Sequence, residues 1–370
     1  MPRRLLRWSA AAAFCFAAAV PAAEDFAFLP APPAPAPAKR IVVDLARAGE
    51  RIVAVGERGL VAVKDGEGAW RQVPVPVSTL LTAVAFVDGE RGWAVGHAGV
   101  ILASDDGGRS WQLQFDGRAA NRQFHAWAEA RVATLEAELA ALPPDAPARD
   151  EREYALEDAR FALEDAEAAL ETGPVDPFLD VHFLDAERGF AVGAYGLLVR
   201  TDDGGASWRL AIDGLDNPLR YHYYDLHERD GVLYLSGEAG LLFVSRDGGA
   251  RWRRIEGLYE GSLFGLVDLG DGVAAFGLRG NVFASDDDGD SWRRVPVASA
   301  ASLYGGTSLA DGKALLVGAG GTVLRVTGDG DATAFGHPER ASLAAALAVG
   351  DSVFLAGMAG IGRLDAVTRR

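Results

Sequence analysis

Cysteine is nearly absent: Cys15 is the only one in 370 residues. A disulfide framework and zinc-finger ligand spacing are both excluded. Basic residues are also scarce, 36 Lys and Arg against 52 Asp and Glu for a net charge of −16. Phosphate backbones would be repelled at long range, so no nucleic-acid partner is expected. The six His (His97, His125, His182, His222, His227 and His337) are scattered without HExxH or another ligand spacing, and no metal site is expected. There is no G-x-S-x-G elbow and no Walker loop. No apolar run reaches the ~20 residues a membrane-crossing helix needs.

The long apolar run that does exist, Trp8 to Val20, follows Arg3, Arg4 and Arg7 and leads to Ala22 and Ala23. Residues 1–23 therefore read as a cleaved signal peptide, which predicts a periplasmic or secreted protein, peripheral to a membrane at most. Its loss would remove the only cysteine and take the net charge from −16 to −19. Residues 24–40 follow, with a Pro/Ala stretch from Pro30 to Ala38 that reads as a stiff extended linker.

Glycine is the abundant residue, 45 in all. Most of it belongs to one pattern. A short apolar run, Gly, two residues, Gly and another apolar run recur as AVGERGLVAV, AVGHAGVILA, AVGAYGLLVR, LSGEAGLLFV, AFGLRGNVFA, LVGAGGTVLR and LAGMAGIGRL. The first glycines (Gly56, Gly96, Gly193, Gly237, Gly277, Gly318 and Gly357) lie 40, 97, 44, 40, 41 and 39 residues apart. Runs of this length, rich in β-branched and aromatic residues and broken by G-x-x-G, read as paired strands. They are not the glycine-rich opening of a helix, so no dinucleotide cofactor is expected. With a further strand before and after each pair, residues 41–370 predict an all-β protein, a seven-bladed β-propeller of about 40-residue repeats. The seventh blade is short of one strand. Phe26 to Leu29, or failing that the tail Ala366 to Arg370, is predicted to close the circle.

Four repeats add a second motif, SDDGGRSW, TDDGGASW, SRDGGARW and SDDDGDSW. Asp106, Asp203, Asp247 and Asp287 are predicted to accept backbone N–H bonds inside the turn, while Trp111, Trp208, Trp252 and Trp292 pack between blades. These turns resemble the Asp-box repeats of bacterial neuraminidases. The longer strings RGWAVGHAGVILASDDGGRSW and RGFAVGAYGLLVRTDDGGASW resemble the Ycf48/Hcf136 family of photosystem II assembly and stability factors, over roughly residues 41 to 365. That resemblance implies a non-enzymatic propeller that helps a membrane or envelope protein complex assemble or stay stable.

Between blades two and three the composition changes. Within residues 117–176, Arg118 to Leu142 and Asp150 to Thr172 are rich in Ala, Glu, Leu and Arg and lack Gly, which predicts an inserted α-helical hairpin. Val132, Leu135, Leu139 and Leu142 on one helix face Leu156, Leu163 and Leu170 on the other, beside Tyr154 and Phe161. Nine acids and two Arg lie between Asp150 and Glu171. Such a helix is either a solvated arm or a docking arm.

Topology brings the hairpin to the same face as the G-x-x-G turns. The predicted partner-binding face therefore holds Glu57, Arg58, His97, Tyr195, Glu238, Arg279 and Met358, with the aromatic entry Tyr221, His222, Tyr223 and Tyr224. The molecule is expected to be a monomer. A sialidase-like hydrolase or a carbohydrate-binding propeller is the alternative, with Tyr223 or Tyr304 and Glu238 as its groups or Tyr221 to Tyr224 as a sugar platform.

Overall fold

In the computed structural model, residues 26–336 and 340–365 are described. The signal peptide, His337 and the tail proposed to close the ring lie outside them. Seven antiparallel sheets follow one another along the chain, each with its strands in sequence order from the inside outwards. Blade one is built from Val42–Ala48, Arg51–Gly56, Leu60–Asp65 and Arg71–Val73. The inner strands of blades two to seven are Leu81–Phe86, Phe178–Phe183, Tyr223–Arg229, Leu263–Leu269, Leu303–Ser308 and Leu343–Val349. Each lies beside the next, and the seventh returns against the first.

The core is divided into seven clusters, one in each gap between neighbouring blades. Val53, Val63, Val84 and Trp111 fill the first gap, and Leu45, Ile52, Ala345 and Phe354 fill the last. This explains why the strands are apolar on nearly every position: both faces of each sheet are covered. Burying one such Leu or Phe contributes roughly 1.5–3 kcal/mol, so apolar packing supplies most of the adhesion between blades.

Ring closure differs from the sequence expectation. Among the described residues the seventh sheet has three strands, and Phe26–Phe28 forms a 3-10 turn instead of a fourth. The linker after it lies against blade one, with Ala31 N–H donating to Val75 O at 3.1 Å and Ala34 N–H to Gln72 Oε1 at 2.6 Å. Proline has no N–H to give to a strand ladder, so this segment packs without pairing. Among the described residues, blades one and seven also meet through side chains: Trp70 of blade one meets Phe354 of blade seven edge-on at 6.4 Å, and Glu67 pairs with Arg363 at 3.0 Å.

Every inner strand carries a bulge at its second residue. Tyr223 is paired with Gly237 and Asp225 with Ser236, which leaves Tyr224 outside the ladder. Val43, Thr82, Leu179, Phe264, Tyr304 and Ala344 are displaced in the same way. A bulge re-aims the side chain at that position, and this repeated one shapes the mouth of the ring.

The arm consists of α1, Gly117–Ala141, and α2, Arg149–Thr172. The Asp116 carboxylate caps α1 by accepting the Ala119 N–H at 2.9 Å. The seam between the helices is narrower than the leucine spacing suggested. Leu135, Leu156, Ala159 and Ala166 are buried, whereas Leu170, Tyr154 and Phe161 are exposed. Alanine on α2 lets α1 approach, and the large side chains are left on the outside.

Candidate partner-binding face

Because the strands of each blade run antiparallel from the inside out, the second-to-third-strand turns share a face with the blade-to-blade connections. The Asp-box turns take the other face. The arm begins in the connection from blade two to blade three, and its root touches the turn of blade two: a Cβ on Gly117 would collide with the Ala98 carbonyl. Gln123 of α1 then joins blade three, donating to Trp208 O at 2.8 Å and accepting the Leu210 N–H at 2.7 Å. Trp127 donates to Asp213 Oδ1 at 2.9 Å.

The turns on this face are built alike. A Cβ on any of the seven anchor glycines, Gly96 for example, would collide with the carbonyl that precedes the inner strand, here Leu80 O. The next residue donates to that same carbonyl, as His97 N–H does to Leu80 O at 2.9 Å and Glu238 N–H to His222 O at 2.9 Å. One position later the backbone turns left-handed. Arg58, Ala98, Tyr195, Ala239 and Arg279 all have φ between 52° and 59° without being glycine. Such conformations cost on the order of 1–2 kcal/mol each. At Arg58, Tyr195 and Arg279 the side chain stands in solvent, Tyr195 being 51% exposed, while the small Ala98 is buried.

The sequence-predicted residues divide. Tyr195 N–H donates to His222 Nδ1 at 3.2 Å, and His222 N–H donates to Glu238 Oε2 at 3.2 Å, so these three form one cluster. Glu57 lies 4.0 Å from Arg40, and Arg58 lines a shallow cleft with Pro32 and Pro33, on the blade-one side. His97, Arg279 and Met358 stand separately on their own turns. Tyr221 is half-buried, its backbone pinned on both sides by Asn217.

Tyr223 is a correction. It is buried against Phe243, and burial pushes its phenol up to about 12. It can serve neither as a surface platform nor as the nucleophile of a glycosidase. The bulge is the cause, because it turns Tyr224 out where simple alternation would have shown Tyr223.

Two arrangements were not read from the sequence, although Tyr195, His222, Tyr224 and Tyr304 of the first were named there. The first is an arc of rings, in which Tyr195, His222, Tyr224, Phe264 and Tyr304 follow one another with centroids 4.8, 6.3, 5.1 and 5.7 Å apart. Three of the five are bulge residues of blades four, five and six. The second is a set of carboxylates one residue further along the inner strands. Asp44 accepts the Val84 N–H at 2.9 Å, Asp180 the Leu226 N–H at 2.8 Å and Asp225 the Leu266 N–H at 2.6 Å. Burial raises all three, Asp44 to about 7, and mutual repulsion raises Asp225 further. An acid third in each apolar inner strand (VVDLA, FLDVH, YYDLH) was the available signal.

The opposite face carries the four Asp boxes. Asp287 accepts from the Ser291 hydroxyl and N–H and from the Ser285 hydroxyl, and these bonds hold its carboxyl at about 2. Asp106 and Asp203 repeat the pattern, and Asp247 keeps the amide bond where Arg251 replaces the serine. Trp111, Trp208 and Trp292 sit edge-on to Phe86, Phe183 and Tyr234, and Trp252 packs in the cluster between blades three and four. Among the described residues, no three His, Cys, Asp or Glu side chains are placed to hold a metal ion.

Compared with known proteins, residues 63–127 and 165–265 match the family model described as photosynthesis system II assembly factor YCF48. The unmatched stretch between them falls in the arm. A 46-residue stretch is 41% identical to the chloroplastic photosystem II stability/assembly factor HCF136 of Cyanidioschyzon merolae, covering 12% of this chain and 10% of that relative. Among solved structures, YCF48 bound to D1 peptide superposes with a TM-score of 0.60 at 15% identity, over 93% of this chain and 98% of that one. YCF48 from Cyanidioschyzon merolae gives 0.59 at 15%, over 90% and 97%. At that identity the superpositions speak for the propeller fold. With the sequence matches, they make the chain Ycf48/Hcf136-like.

Proposed function

We propose that this chain is a non-enzymatic propeller that grips a protein partner on the face carrying the aromatic arc and the arm. Through that grip it assists assembly or stability of a membrane protein complex. The observation that carries the reading is the arc itself. Five rings stand in line at the mouth of the ring, and the turn that presents Tyr195 is held in a costly backbone conformation. Aromatic side chains on a rigid scaffold are the commonest anchors of protein interfaces, and strained turns of this kind concentrate at functional sites. The family model's description makes photosystem II the first complex to test, and a solved YCF48 with a D1 peptide supports peptide capture as the mode. Export through the N-terminal basic and apolar segment belongs to the same proposal.

Removing residues 117–176 and rejoining the blades is the test. Pro174 already lies beside Gly117 at the root of the arm, so a short glycine bridge suffices. The shortened chain is expected to melt as a cooperative propeller and to lose its partner from solubilised membranes. A folded, shortened chain that co-purifies the same partner undiminished would contradict the role given to the arm face.

A further inference from the structure

The second helix of the arm has sorted its charges. Arg152 reaches across to Glu138 at 3.1 Å and Arg160 to Glu136 at 2.7 Å. Arg149 closes the end of α1, donating to Leu142 O at 3.1 Å, and pairs with Glu153 at 3.1 Å. All three arginines of α2 are therefore engaged within the hairpin. The outward face keeps no cation of its own.

That face is a single stripe. Tyr154, Asp158, Phe161 and Asp165 follow at intervals of four, three and four, which places them above one another on a helix. Tyr154 is 71% and Phe161 58% exposed, and Glu157 and Glu164 flank them in solvent. Two large rings two turns apart, uncovered and set among carboxylates, are not what a merely solvated helix needs. The stripe also leads somewhere. Asp165 lies 3.8 Å from Arg220, whose Nε donates to Tyr195 O at 3.3 Å, so its lower end meets the start of the aromatic arc.

We infer that the outward stripe of α2 docks a Lys- or Arg-rich partner segment that carries apolar side chains between its cations. This rests on the partner-binding reading above and names the chemistry of what binds. The apolar groups lie on Tyr154 and Phe161, where cations also gain from the ring faces, and the remaining cations face Glu157, Asp158 and Glu164. A second copy of this chain does not fit the stripe, since its net charge of −16 would be repelled.

The test uses the intact chain and a fluorescein-labelled peptide of alternating Lys and Leu, read by fluorescence anisotropy. The Lys/Leu peptide is expected to bind, its Glu-for-Lys counterpart to fail, and added salt to weaken binding. Tyr154→Ser with Phe161→Ser, and separately Glu157→Lys with Asp158→Lys, should each weaken binding by about tenfold. Both pairs are exposed, so a thermal melt should show the parent fold. Equal binding by parent and both variants, or no binding by the parent, overturns the inference. If the peptide is ignored while arm removal still costs the native partner, the basic-segment inference falls and the partner-binding reading stands.

Discussion

The carboxylate of Asp180 in blade three accepts the backbone N–H of Leu226 in blade four at 2.8 Å. Asp44 and Asp225 make the same bond from blade one to blade two and from blade four to blade five. Where blade two meets blade three, the Thr82 hydroxyl takes over by donating to Phe178 O at 2.7 Å. The inner ring is thus stitched by side chains that reach across to a neighbour's backbone, close to the mouth where the aromatic arc lies.

These stitches predict an unusual pH dependence. A carboxyl raised by folding favours its protonated form, so it costs nothing below the ordinary carboxylate range and destabilises as pH rises through its folded value. For Asp44 that window runs from about 4 to about 7. Asp44→Asn keeps an oxygen for the Val84 N–H and removes the titration. Its melting temperature should match the parent near pH 4 and exceed it above pH 7, corresponding to about 1–2 kcal/mol of stability once relaxation around the charge is allowed for. A constant difference across pH would contradict the assignment. Asp287 and Asp185, held at about 2, act in the opposite sense and lose their contribution only as pH falls toward 2.

The anchor glycines are predicted to be irreplaceable for a reason other than turn shape. Gly96→Ala drives a Cβ into the Leu80 carbonyl and should cost about 3 kcal/mol or more. Gly320 has a positive φ of 64° but nothing within 4 Å, so Gly320→Ala should cost only about 1 kcal/mol. Denaturant melts of the two variants give the comparison.

The Asp boxes are predicted to be structural. Asp106→Ala removes acceptors for the Arg109 and Ser110 N–H groups and for two serine hydroxyls, at about 1–2 kcal/mol in a partly exposed turn. Partner binding should not change once the variant is compared at a temperature where it is folded.

The seven repeats and the arm were legible because each rests on a local requirement that recurs. Gly56 and its six counterparts stand where a Cβ would strike a carbonyl, and the two helical stretches have no glycine after Gly117 at the first turn of α1. The errors came from features without a local signature. Phe26 to Leu29 is apolar enough for a strand, yet Phe26 is exposed and Phe28 packs under the Arg118 guanidinium at 4.3 Å. Tyr223 and Tyr224 were both expected on the face, and the bulge leaves only Tyr224 there. Asp44, Asp180 and Asp225 share the third position of their inner strands, but their partners are backbone N–H groups roughly 40 residues away or more, which that local pattern does not name.

On the reading proposed here the partner sits on the arc and not on the Asp-box face. Placing a photo-crosslinking phenylalanine analogue at Tyr195, at Tyr304 and, on the opposite face, at Asp247 measures this in the assembled membrane fraction. One shared crosslinked product is expected from Tyr195 and Tyr304 and none from Asp247. A product from Asp247 with none from the two tyrosine positions would contradict it.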